Sequence, residues 1–531
     1  MPFPPPEPAE GVEAKPVISK KNEIVLFSST AIGKCRSALY GYDQGMMSMV
    51  NTNRSYLKTM QIAETSPVVG IIVSVYYLGC AVGAVAASDW ADRKGRKPSI
   101  FACLVTAVVG NLLMFVAGLG PHGATPWGGG GALACMLAGR VVLGLAVGGI
   151  DATIPVYSAE LAKDEARGRA LAQEFQMNIF GLLLAFAINL GATSALGKDS
   201  EWAWRVPIVA MQAFPLLLLS LISRLPETPR WYMSKWRKQE AREALVELHG
   251  DDKAAEMLQE LSAAQRDEDD NNEKIGYTDM LLPSGSQFHP SMVTVMGQIN
   301  QALTGYGAVS VYGPQVFELL GFGVREAEYV TLGNFISYFL FMTVAWLWID
   351  RYGRRKLMVW GSAGLSACFA LLTAFGALSL DVPAVSRLAA EVPGAVVMFA
   401  ATAVFGICWL ATVWLIPTEI YPSSARAQGS AISVIVWGLA NFAVTLLTPI
   451  VFNNLKYWLF LVFAASNAFA GWWTWRYSPE SGGRSFEENQ AFFDAARDED
   501  SWVVRKVDGG RFLRMPPPPT RTMRSRRLRR F

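Results

Sequence analysis

The sequence predicts an all-α membrane protein: twelve transmembrane helices in two six-helix halves that run in the same direction. Three observations predict it. Twelve apolar stretches approach the ~20 residues a helix needs to cross a bilayer, six on each side of a polar segment. Only 17% of the chain is charged against 52% hydrophobic, and mean hydropathy is +0.25, a balance foreign to a soluble chain of this length. Charge motifs also recur in the same order in both groups. Asp92-Arg93-Lys94-Gly95-Arg96-Lys97 returns as Asp350-Arg351-Tyr352-Gly353-Arg354-Arg355, 258 residues on. Glu160 with Arg167 returns as Glu419 with Arg426, 259 residues on, and Pro226-Glu227 returns as Pro479-Glu480. An ordered set at near-constant offset marks one half-molecule written twice. Many secondary transporters are built this way, with the solute held between the halves.

Taken in order, residues 1–23 read as a polar, Pro-containing tail. The first half occupies 24–225, with apolar runs at about 24–48, 67–87, 98–118, 132–156, 172–195 and 204–224. Residues 226–290 carry amphipathic pieces at 239–248 and 253–261 and read as a linker of short surface helices. The second half occupies 291–477, with runs at about 291–316, 326–349, 357–379, 393–416, 428–452 and 455–477. Residues 478–531 read as a disordered tail, Pro-rich at 516–519 and Arg-rich at 521–530.

Lys and Arg set the orientation. Arg93, Lys94, Arg96, Lys97, Lys163, Arg167, Arg169, Arg351, Arg354, Arg355 and Lys356 fall on one side. The opposite loops hold single charges such as Lys198, Arg325, Arg387 and Lys456. Both termini and the linker are therefore expected to be cytoplasmic, in a multi-pass protein of the plasma membrane. The sequon Asn53-Arg54-Ser55 then faces outside.

Other classes find no support. The six cysteines sit singly in or beside apolar runs, without CxxC spacing, and the three histidines are far apart in loops. No metal, cofactor or enzymatic centre is expected. A net charge of +3 gives no reason to expect nucleic acid, and the Arg-rich end reads as a solvated or membrane-proximal tail. The expected partners are a small-molecule solute, protons and the bilayer, for a monomer.

Ionisable groups at mid-membrane are costly and so mark function. Asp43 lies in span one within Gly41-Tyr42-Asp43-Gln44-Gly45, and Arg140 in span four. A carboxylate that alternates between pairing with a guanidinium and being protonated meets the requirement for proton coupling. Asp151 follows Arg140 by three helical turns on the same face, with Gly144 and Gly148 between them at a spacing that admits a close neighbour. Asp151 and Glu174, one turn into span five, either line the cavity or stand near water. Lys34 and Arg36 interrupt span one, Arg36 on the face of Asp43, where it would hold that acid ionised. Removing Lys34-Cys35-Arg36 leaves an ordinary apolar helix, so the tripeptide also reads as an insertion.

The two repeated turns follow spans two and eight, each with a glycine suited to a tight reversal. Their arginines can reach Glu160 and Glu419 at the inner ends of spans four and ten. Asp92, Arg93, Arg96, Glu160, Arg167, Asp350, Arg351, Arg354, Glu419 and Arg426 are expected to form a cytoplasmic latch that breaks as the halves rock. Arg93 and Arg351 are the expected keys.

These motifs, with Pro155-Val156-Tyr157-Ser158-Ala159-Glu160, Pro226-Glu227-Thr228-Pro229-Arg230-Trp231, Pro417-Thr418-Glu419-Ile420-Tyr421-Pro422 and Pro479-Glu480-Ser481-Gly482-Gly483-Arg484, run in order over residues 40–488. In this they resemble the sugar porter family of the major facilitator superfamily, and Gly41-Tyr42-Asp43-Gln44-Gly45 is most like its fungal members. The resemblance implies alternating access and a sugar or polyol as substrate. It also implies proton symport, because coupled members carry an Asp at the place of Asp43, with Arg140 as its partner.

Substrate contacts carry over less completely. The family's Gln-Gln-Leu-Ser-Gly-Ile-Asn of span seven is here Gln301-Ala302-Leu303-Thr304-Gly305-Tyr306-Gly307. The span-five Gln falls on Phe175, flanked by Glu174 and Gln176; the span-eight Asn falls on Tyr338, with Asn334 one turn earlier. Span ten has Leu410-Ala411-Thr412-Val413 for the usual Gly-Pro-rich stretch but keeps Trp414. Span eleven keeps Asn441 but has Trp437-Gly438 for Asn-Trp. Both turns lack the Gly four residues before the Asp, with Ser88 and Trp346 there. Fewer amides and more rings suit a solute with fewer hydroxyls than glucose, or one bearing an aromatic group.

The expected function is secondary active transport of a small neutral solute, a sugar or polyol, by proton symport. The other readings are a transporter or exporter of a small organic metabolite on the same fold, and a non-transporting nutrient sensor. Only about 50 residues follow the last span, which counts against a signalling tail.

Overall fold

The computed structural model describes residues 20–63, 66–119, 130–161, 167–270, 275–381, 387–422, 425–484 and 486–516, and the described residues contain helices and no strand. Lys163 and the segment 521–530 lie outside them, and so does the side chain of Arg167.

The first half comprises α1 (Lys20–Val50), α2 (Pro67–Lys94), α3 (Arg96–Val116), α4 (Gly131–Leu161), α5 (Arg167–Leu196) and α6, which runs as Glu201–Met211 and Ala213–Ser223. The second comprises α7 (Phe288–Leu303, resuming as Tyr306–Val311), α8 (Val324–Tyr352), α9 (Arg354–Asp381), α10, α11 (Arg426–Leu455) and α12 (Trp458–Tyr477). In α10, Arg387–Phe405 passes through a π-helical turn, Gly406–Leu410, into Thr412–Ile420. Among the described residues nine helices are long and apolar enough to cross a membrane. α1, α7 and α12 complete the expected twelve. Helices answer the bilayer's demand that each backbone N–H and C=O be satisfied within the segment. Outward-facing side chains such as Phe101, Leu112, Leu340, Trp360 and Leu447 are exposed, as lipid-facing positions require.

Two apolar cores form, one dominated by each half. α2 packs on α4 and α1 on α5, and the halves meet along α2–α11 and α5–α8. Small residues set the approach, as the span-four spacing predicts. A Cβ at Gly144 would collide with the carbonyl oxygen of Tyr76, and one at Gly148 with that of Cys80, both on α2.

The linker contains helices Pro229–Ser234, Lys238–His249, Asp251–Asp270 and Tyr277–Leu281. The tail departs from expectation. Residues 478–516 are folded, with a helix at Phe486–Asp498 and a 3-10 turn at Val507–Leu513. Phe492, Phe493 and Phe512 are buried in the core of the second half. His289 stacks on Trp502 at 4.4 Å, and Arg497 donates to the carbonyl oxygen of Ser286 at 3.0 Å. The Pro and Arg content of the far end obscured an amphipathic helix before it.

Candidate transport site

The repeated motifs come together identically in each half. Gly95 and Gly353 adopt positive φ, 113° and 87°, so a reversal that L side chains resist is available there. Each turn places the N-terminus of the next helix over a glutamate. Glu227 accepts from the amide of Lys97 at 2.9 Å; Glu480 accepts from those of Arg354 and Arg355 at 2.8 and 3.2 Å. Helix N-termini favour an anion in this position. Burial pushes both carboxyls up, and the amides pull the other way. Arg96 reaches Asp92 at 2.6 Å and Glu160 at 3.6 Å. Arg354 reaches Glu419 at 2.6 Å and Asp350 at 3.1 Å.

Arg93 and Arg351 stand outside these two clusters. Arg93 is exposed on Asp89, one turn away, and Arg351 lies over the neighbouring Tyr352 ring. Position decides this: they leave the helix on its outer side, whereas Arg96 and Arg354 begin the next helix and point back beneath the bundle. Each of these clusters also closes within one half. Arg426 begins α11.

At mid-membrane Asp43 and Arg140 form a salt bridge between α1 and α4, at 2% and 1% exposure. Arg140 also donates from Nε to the carbonyl of Ile72 (3.2 Å) and from Nη2 to that of Val73 (3.3 Å), and sits 4.6 Å above the Tyr76 ring. The guanidinium therefore keeps partners when Asp43 takes a proton.

Arg36 belongs elsewhere than expected. Its Nη1 donates to Asp151 of α4 at 2.8 Å and its Nη2 to Glu174 of α5 at 3.0 Å. The expectation that it would hold Asp43 ionised is thereby corrected: two carboxylates already claim it. α1 runs unbroken through Lys34-Cys35-Arg36. Within that tripeptide Arg36 is matched by acids on two other helices.

A cavity between the halves is lined by Arg36, Tyr40, Asp151, Phe175, Trp414 and Trp437, among others. Its rings form a chain: Phe175 to Trp414 at 6.0 Å, Trp414 to Trp437 at 6.1 Å, Trp437 to Tyr40 at 5.2 Å. Tyr40 and Trp437 escaped the sequence reading as site residues; the Trp437-Gly438 replacement was the available signal. Gln176 points away, donating to Phe339 and Thr343 of α8. Gln301 donates to the carbonyl of Leu410 at 3.2 Å, and Asn441 to that of Trp437 at 2.9 Å. Asn334 and Tyr338 are wholly buried in the second half, with the Tyr338 ring 4.8 Å from Tyr306. Both amide atoms of Asn334 and Oε1 of Gln301 lack a hydrogen-bond partner, while the hydroxyls of Tyr306 and Tyr338 face each other. Buried polar atoms are rarely left so.

The two membrane faces differ. On the face opposite the repeated turns, Lys198 at the end of α5 pairs with Glu328 of α8 at 2.5 Å, across the halves. Val311 and Tyr312 of the second half join the core of the first half. On the face with the turns, a larger cavity is lined chiefly by first-half residues such as Asp89, Asp92 and Thr153, with Tyr277 of the linker and Gln428 of α11.

The family described as "Sugar (and other) transporter" matches residues 30–493. The chain is 29% identical to the probable metabolite transport protein CsbC of Bacillus subtilis, over 86% of this chain and 92% of that one. It is 26% identical to the D-xylose-proton symporter of Escherichia coli, over 89% and 96% respectively. The solved structure of the proton:xylose symporter XylE bound to 6-bromo-6-deoxy-D-glucose matches with a TM-score of 0.73 at 24% identity, covering 89% of this chain and 100% of that one.

Proposed function

The chain belongs to the sugar (and other) transporter family, and from that premise we propose that it is a proton-coupled symporter of a sugar or polyol, working by alternating access. The observation that carries the coupling is the buried Asp43–Arg140 pair. Protonation of Asp43 frees α1 from α4 without stranding Arg140, which keeps two carbonyls and a ring. The similarity to a D-xylose-proton symporter supports both the solute class and the coupling ion.

The solute ring packs on Phe175, Trp414 and Trp437. Gln301 and Asn334 supply hydroxyl partners from their unpartnered atoms, with Tyr338 and Asn441 beside them. Gln176 serves the α5–α8 contact instead. The Lys-Arg-rich face is the cytoplasmic face of the plasma membrane, supported by the loop charges. The state described is then inward-facing: closed outside by Lys198–Glu328 and open inside.

Substrate-induced proton entry in proteoliposomes, across hexoses, pentoses and polyols, tests the proposal. A pH signal in wild type that vanishes in Asp43→Asn is the expected outcome. Solute flux with no pH signal in either protein would show a facilitator in which Asp43 is structural.

A further inference from the structure

Arg36 is a charge that neither a neutral solute nor the Asp43 couple requires. It is 8% exposed and lines the cavity shared by the halves. Its Nη1 is taken by Asp151, but its other edge is only half used. Nη2 meets one oxygen of Glu174 at 3.0 Å and the Ser37 hydroxyl at 3.4 Å, while the buried Nε has no partner. A carboxylate binds a guanidinium best through two parallel bonds, and Nε with Nη2 offers that fork.

Two carboxylates face one guanidinium, so Arg36 would remain paired if one of them were displaced. Glu174 is the more exposed, its side chain at 21% against 11% for Asp151. It packs directly against Gly33, where a Cβ would come within 2.6 Å of its Oε1. The ring chain from Phe175 to Tyr40 completes the same cavity.

We propose that, besides neutral sugars or polyols, this transporter carries monoanionic sugar acids, whose carboxylate takes the Nε–Nη2 fork of Arg36 in place of Glu174. The proposal rests on the transport reading above. Entry of one proton with each anion would leave the net charge of the site as it was before. The charged groups that face Glu174 are Arg36 on α1 and Asp151 on α4. From α8 come Phe339 and Thr343 beside Gln176, neither of them charged.

The test is uptake by the full chain in proteoliposomes, with gluconate and glucuronate set against glucose, xylose and myo-inositol, at external pH 5.5 and 7.5. Wild type should take up at least one acid, and the acid should compete with the neutral solute. In Arg36→Gln the ratio of acid to neutral uptake should fall at least tenfold. Glu174→Gln, which mimics the protonated acid, should keep acid uptake and lose the part of its pH dependence that neutral uptake does not share. That variant also reads the site if Arg36→Gln fails to insert. Neutral flux with which neither acid competes, or an acid-to-neutral ratio unchanged in Arg36→Gln, overturns the inference and leaves the transport reading standing. No flux of any solute overturns both.

Discussion

Arg96 and Arg354 each hold a helix end other than their own. Arg354 bridges Glu419 at 2.6 Å and also donates to the carbonyl of Ile349 at 3.1 Å; its loss leaves Glu419 with the Ser481 hydroxyl. Unmaking charged bonds at a buried partner costs about 1–3 kcal/mol. Arg354→Ala and Arg96→Ala should therefore slow solute exchange roughly tenfold while leaving equilibrium binding near wild type, whereas Arg93→Ala and Arg351→Ala should stay within about twofold. Counterflow rates beside binding isotherms check this, and equal effects in all four would refute the distinction. At this scale the sequence was a partial guide. Asp43 and Arg140 could be paired in advance because the family resemblance implies the couple, although Lys34 and Arg36 share span one and Asp151 shares span four. Arg36 could not be assigned, because sequence spacing gives the face of its own helix and nothing about the acids that α4 and α5 bring to it.

The tail helix Phe486–Asp498 is the element whose folding the sequence reading missed. Phe492 and Phe493 insert into the core of the second half, and Asn489 donates to the carbonyls of Glu419 and Ser481, both at 3.2 Å. Truncating a buried Phe costs about 3 kcal/mol or more. Phe492→Ala should accordingly raise proteolytic cleavage of the tail about a hundredfold without moving the thermal transition of the bundle. A cleavage rate equal to wild type would mean that the helix does not dock. The crossing helices themselves were legible, since length and hydropathy identify most of them. Their interruptions were not. α7 breaks at Gly305, whose φ is 84° and where a Cβ would meet the Phe463 ring at 2.5 Å. The π turn of α10 packs Gly406 against the Tyr338 ring. Both breaks answer side chains more than 60 residues away in sequence, outside any local pattern.

Across the whole molecule, the pair Lys198–Glu328 joins the halves on the closed face, with Glu328 at 1% exposure. Breaking a buried charge pair costs about 2–5 kcal/mol, and the low end applies because Arg325 remains 3.2 Å from Glu328. Lys198→Ala should therefore shift the population toward the outward-open state by roughly 30-fold. The swapped pair, Lys198→Glu with Glu328→Lys, should restore much of the balance. The rate at which an impermeant maleimide labels a cysteine at Val311, in a background without the native cysteines, reads both variants; no change in either would show that the pair does not gate. By itself the sequence determined the class of fold, the two repeated halves, the charged turns and the Asp43–Arg140 couple. Hydropathy, repeat offset and the cost of lone charges in lipid are properties of the chain that survive without coordinates. Only the tertiary structure decided which arginine serves which acid, which rings share the cavity, that the tail docks and which charge pair joins the halves. Those depend on contacts between helices far apart in sequence, and on the relative placement of two halves that can rock between states without changing a residue.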